Sequence, residues 1–198
     1  TTVESATLSS SADGNIDVDQ TDKITLTKLS TTNGTITVDA GGEITATDIT
    51  SGSNNAIKLS TTSGDITAIK TVNAGTGSVD LTSAGAIVDD GVDASLITGG
   101  VLSADATGVI TIDTTVTSAT LSSSLTGNID VDETDGIILT KLKTANGTIT
   151  VDAGGEMTAT DVQTGTNNNV ISLTTTAGDI NGVGTISALN GVTGTATG

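Results

Sequence analysis

Six aspartates fall into two matched sets, Asp17, Asp19 and Asp39, then Asp130, Asp132 and Asp152. Each set sits on alternating segments: Ile16-Asp17-Val18-Asp19 with Thr37-Val38-Asp39, and Ile129-Asp130-Val131-Asp132 with Thr150-Val151-Asp152. Alternation of this kind turns the acids to one face of a strand and the aliphatic side chains to the other. If segments twenty residues apart lie side by side, Asp19 stacks on Asp39 and Asp132 on Asp152. Hard oxygen donors at that spacing, with Asp22 and Asp135 beside them, suit Ca²⁺. Water satisfies an exposed column of carboxylates equally well, so solvated acids and weak Ca²⁺ sites both stand as readings. The sequence lacks the Gly-Gly-x-Gly-x-Asp nonapeptide of calcium-loaded β-rolls and the EF-hand loop. No other cofactor is expected.

Catalysis is not expected either. The chain has no His and no Cys, and its six basic residues are all Lys. General acid–base chemistry needs groups gathered where burial can tune them, whereas these acids recur with a repeat. An enzyme acting on polysaccharides is therefore the remote alternative.

The elements that carry the acids are set by repetition. Residues 3 to 55 return at 116 to 168 with about three quarters of the positions identical, an offset of 113 residues. The whole chain, 1–198, reads as one continuous array: a first copy at 3–115 and an incomplete second copy from 116 to 198. Inside each copy runs a shorter period. Apolar-x-apolar starts fall at Ile16, Ile36, Ile57, Val79 and Val101, then at Ile129, Ile149, Ile171 and Val192. Most steps are 20 to 22 residues, but 28 separate Val101 from Ile129. Further apolar positions follow in each unit, as at Ile24 and Leu29. Gly, Asn, Asp and Ser punctuate them, the signature of short half-buried strands.

Such a unit cannot bury its inward residues alone and must stack on its neighbours. The expected fold is all-β: a parallel β-helix, right-handed and three-sided, of about nine coils of 20–28 residues. At the usual strand spacing it forms a rod of roughly 43 Å. Without Phe, Tyr, Trp or Pro, the core must be built from Val, Ile, Leu and Ala. The long step implies an outward excursion over Thr111–Thr126, a place where a ligand-binding insertion could sit. Three further columns are expected. Lys28, Asp48 and Lys70 form a charge ladder, echoed by Lys141 and Asp161. Asn33, Asn54 and Asn73, with Asn146 and Asn167, form a turn ladder. Thr25, Thr45 and Thr67 form an outward Thr column, which β propensity alone explains without ice binding.

Net charge is −17, which argues against nucleic-acid binding, since phosphate neutralisation needs clustered Lys and Arg. No apolar run is long enough to span a membrane, and no signal peptide opens the chain. Neither end carries a polar cap of the kind solenoids use. The expected partner is thus another copy stacked head to tail, or the remainder of a longer chain.

The coil pattern, Gly-x-Ile-x-Val-Asp-x-x-x-x-Ile-Thr-x-Thr as at Gly14–Thr27, resembles the shafts of filamentous-haemagglutinin-type adhesins and related giant bacterial exoproteins. That resemblance covers essentially the whole chain. It implies an extracellular or cell-surface, nonenzymatic rod serving adhesion, matrix or filament formation. A carbohydrate- or Ca²⁺-dependent ligand-binding module is the alternative.

Overall fold

The computed structural model describes residues 3–94, 96–165, 167 and 169–197. Among them there is no helix; twenty strands join one sheet, and every strand pairing is parallel. The chain is a β-solenoid of about nine turns with three ladders running along it.

The first ladder holds Ile16, Ile36, Ile57, Val79, Leu102, Ala119, Leu139 and Ala159 on successive turns. A second, nine residues deep, holds Ile24, Ile44, Ile66, Ile87, Ile110, Ile129, Ile149, Ile171 and Val192. The third runs Leu8, Leu29, Ile49, Val72, Ile97, then Thr114, Glu133, Ala153 and Thr175. From Ile24 to Ile171, the second-ladder side chains are at most 2% exposed. These inward columns form one continuous aliphatic core. Each coil shields the core of the next, which is why residues no larger than Leu or Ile suffice.

The second ladder corrects the sequence reading. Ile129, Ile149, Ile171 and Val192 do not continue the column of Ile16; they stack on Ile110 and Ile24. The 113-residue repeat therefore spans five turns plus one side, and the second copy lies one side further round the coil. The 28-residue step holds no excursion. Ile110–Ser123 is a single 14-residue strand, and it pairs with Leu96–Ala106 on the turn below and with Ile129–Glu133 and Ile137–Thr144 above. What looked like an insertion is the place where the repeat changes sides.

Corners are closed by side-chain hydroxyls. Thr31, Thr61, Thr144 and Thr175 each donate from Oγ1 to the carbonyl three residues on, at 2.6, 2.9, 2.8 and 2.8 Å. Ser83 does the same to Ala86 at 2.8 Å. A buried carbonyl at a bend finds no ladder partner, and the hydroxyl supplies one. Replacing Thr144 by Val keeps the shape and removes that donor. We expect it to lower the unfolding free energy by about 1–2 kcal/mol in a urea titration, while Thr140→Val, away from these bends, stays within about 0.5 kcal/mol.

Glycine is required where turns stack backbone on backbone. A Cβ at Gly34 would lie 2.2 Å from the Gly14 carbonyl oxygen, and one at Gly147 2.0 Å from that of Gly127. Asparagines finish the same corners. Asn15 Oδ1 accepts from the Thr35 amide at 2.9 Å, and Asn128 Oδ1 from the Thr148 amide at 3.0 Å. Asn33 donates to Asp13 at 2.7 Å and accepts from Asn55 at 3.0 Å, so Asn55, not Asn54, extends that ladder. Asn54 Oδ1 instead holds the Thr76 amide at 3.0 Å, and Asn73 Oδ1 folds back on the Gly75 amide of its own turn at 2.8 Å. In the second copy Asn167 donates to Asn146 at 3.0 Å.

Candidate functional site

The shift by one side decides the environment of the acids. In the first copy Asp17 and Asp19 pair with Thr37 and Asp39 on the first ladder, and the next turn sets Lys58 and Ser60 over Thr37 and Asp39. The Lys58 ammonium lies 3.2 Å from Asp39, and the Ser60 hydroxyl donates to the same carboxylate. The Ser60 hydrogen bond chiefly holds Asp39 below the usual carboxylate range; burial opposes it, and Lys58 adds a further lowering. Two Asp39 titrations by NMR separate these causes. Ser60→Ala should raise its pKa more than Lys58→Ala, because exposed ion pairs are screened by solvent; the reverse order would contradict the assignment.

The second copy lacks that compensation. Asp132 pairs with Asp152 as expected, but below it lies Asp113, from the segment just ahead of the second copy. Three carboxylates thus stack on consecutive turns, each about 4.8 Å from the next. Asp130 lies beside them, between Thr111 and Thr150. Asp89 reaches the same patch and accepts from the Asp113 amide at 3.0 Å. Asp93, Asp113, Asp132, Glu133 and Asp152 line an open groove of about 420 Å³.

Burial, with Asp89, Asp132, Asp93 and Asp130 adding repulsion, pushes Asp113 up to about 6. Asp130 and Asp132 move in the same direction, again chiefly through burial and then through their neighbours' charges. Glu133 points into the third ladder and is 4% exposed. It accepts from Thr114 Oγ1 at 2.9 Å and from the Val116 and Asp135 amides at 3.0 Å each. Burial raises its pKa despite those bonds. The arrangement concentrates negative charge, which favours protonation of these acids above the ordinary carboxylate range. Among the described residues no group of three or more acids is gathered closely enough to enclose a metal ion.

Sequence reasoning found Asp130, Asp132 and Asp152 but missed Asp113, Asp89, Asp93 and Glu133. The signal for Asp113 was present, since Ile110-Thr111-Ile112-Asp113 has the same alternation as Ile16-Asp17-Val18-Asp19. The supposed excursion hid it.

The charge ladder is shorter than expected. Lys28 pairs with Asp48 at 2.6 Å, but Asp48 is followed by Thr71, and Lys70 reaches Asp90 at 3.8 Å instead. Asp161 accepts from Gln163 in its own strand. The Thr25–Thr45–Thr67 column exists, though higher on the same side Asp130 interrupts the hydroxyls. No helix of the described residues is long and apolar enough to cross a membrane. No protein-family model, curated protein or solved structure matches this chain.

Proposed function

We propose that the chain is a nonenzymatic rod segment of a secreted or cell-surface bacterial protein, serving adhesion, extracellular matrix or filament formation by end-to-end stacking of coils. One observation supports this reading above all: the three ladders run unbroken for about nine turns, and each turn templates the backbone hydrogen bonds of the next. A parallel edge of that kind accepts another strand at either end, and head-to-tail contacts that never close produce filaments. The outward surface is mostly Thr, Ser, Asn and Asp, which keeps rods soluble side by side. The resemblance to adhesin shafts is one of coil pattern.

The test is electron microscopy of the purified chain over a range of concentrations. Rods that lengthen by end-to-end addition support the reading. Short particles that never lengthen, even when concentrated, contradict its filament arm. The acid ladder favours a second reading, a Ca²⁺-dependent ligand-binding module. Under that reading millimolar Ca²⁺ raises the melting midpoint beyond the effect of matched ionic strength in NaCl; under the rod reading it does not.

A further inference from the structure

The lowest turn of the chain duplicates a turn that is already stacked elsewhere in it. Ser5–Gln20 and Ser118–Glu133 agree at thirteen of sixteen positions, so the two turns present nearly the same underside. In the second copy that underside is filled: Ala119 stands over Leu102, Leu121 over Ala104 and Ile129 over Ile110. In the first copy no described strand pairs beneath Ser5–Asp13 or Ile16–Gln20, and Val3 and Leu8 are exposed there.

The uppermost turn offers the matching surface. The columns that hold Leu102, Ala104 and Ile110 run upward to Gly182, Ile186 and Val192. Among the described residues no strand pairs above Ile180–Ser187 or Val192–Ala196. Val183, Leu189 and Val192 are exposed on that turn. The unpaired backbone groups of such an edge accept a further strand.

We infer that the uppermost turn of one copy seats the lowest turn of a second copy rotated by one side, in the register that the two repeats already use within the chain. The inference rests on the end-to-end stacking proposed above and fixes its geometry. Ala6 of the second copy then stands over Gly182, Leu8 over Ile186 and Ile16 over Val192, which carries the aliphatic interior across the joint. On the outer face, Asp17 and Asp19 of the second copy stand over Thr193 and Thr195, so the like charges that would destabilise a cross-strand pair do not meet.

A second copy added without rotation fits worse. It places Ser5 over Thr193 and Leu8 over Ala196, since those residues share columns. Ile16–Gln20 then stands in the column that ends at Gly182, with the space of one strand between them. Aliphatic side chains facing that space would be left in water. Rotation by one side removes the gap, and the acid ladders of successive copies face the three sides in turn.

The chain has no cysteine, so introduced pairs report on the joint. Asp17→Cys with Thr193→Cys tests the rotated register, and Ser5→Cys with Thr193→Cys tests the unrotated one. All three side chains are exposed, so both variants should melt as the wild type does. Each pair spans opposite ends of one rod, so any disulfide joins two copies. Concentrated protein is oxidised mildly and separated on a denaturing gel without reductant. Stacked strands lie about 4.8 Å apart, so the first pair should give a ladder of linked chains at least roughly tenfold faster than the second, whose positions fall outside disulfide reach. Linkage through Ser5 that equals or exceeds linkage through Asp17 overturns the register while end-to-end stacking stands. So do rods that lengthen in the microscope with neither pair linking. Absence of both lengthening and linkage overturns the inference together with the filament reading.

Discussion

Ile110→Ala is expected to lower the unfolding free energy by about 3 kcal/mol, the usual cost of cutting a buried Ile back to Ala. Ile110 is fully buried and stands at the centre of the second ladder, paired with Ile87 below and Ile129 above. Removing its side chain leaves a void bounded by two turns, and neither turn can collapse without breaking its own backbone pairing. For a chain of this size, the loss corresponds to about 6–12 °C in melting midpoint. Thr111, the next residue, faces outward on the same strand. Thr111→Ala should change stability by no more than about 0.5 kcal/mol. Equal effects at the two positions would mean that the strand's inward and outward faces are misassigned.

Asp113→Asn should raise the melting midpoint at neutral pH and flatten its dependence on pH. Asp113 titrates near 6 in the folded chain against an ordinary 3.8, so the folded state holds its proton more tightly than the unfolded state does. Its stabilising contribution is therefore full below about 3.8 and is lost as the pH rises through about 6. Asp130, Asp132 and Glu133 are shifted in the same direction and add to that slope, while Asp39 opposes it. Asparagine keeps the backbone bond to Asp89 and most of the shape but carries no charge, so the repulsion along the ladder falls at every pH where Asp113 would be ionised. Added salt should shrink the difference between wild type and variant, because this patch is partly exposed and its repulsion is screened. Melting curves collected from about pH 4 to pH 8, spanning the titration of the shifted acids, check the prediction. A wild-type profile that Asp113→Asn leaves unaltered would remove the ladder from the account.

The fold was legible because its signal is local. Ile16-Asp17-Val18 or Ile57-Lys58-Leu59 alternates so strictly that inward and outward faces follow from two or three residues, and the recurring Gly and Asn mark the corners. Which turn stacks on which is a matter of register, and there the near identity of the two copies misled. Matching Ile129 to Ile16 is correct as a repeat and wrong as a stack, since stacking depends on the residues accumulated between them. The turn rising from Leu102 to Ala119 is only 17 residues long, and no motif announces a short turn. The site inherited that error. Asp132 and Asp152 were recognisable as a stacked pair, but Asp113 and Asp89 join them only through the changed side. Lys58 marks the other difference: it compensates Asp39, and Ser172 stands over Thr150 in its place in the second copy.

Asp130 lies directly over Thr111, with the second copy one side round from the first. The chain has no cysteine, so a pair introduced as Thr111→Cys and Asp130→Cys reports on that placement alone. Neighbouring strands lie about 4.8 Å apart, within the Cα separation that a disulfide spans. Mild oxidation of the folded protein should link this pair rapidly and in full, within one molecule. A control pair, Asp17→Cys with Asp130→Cys, belongs to different sides and should stay reduced. Failure of the first pair to close, or ready closure of the second, would contradict the architecture described here.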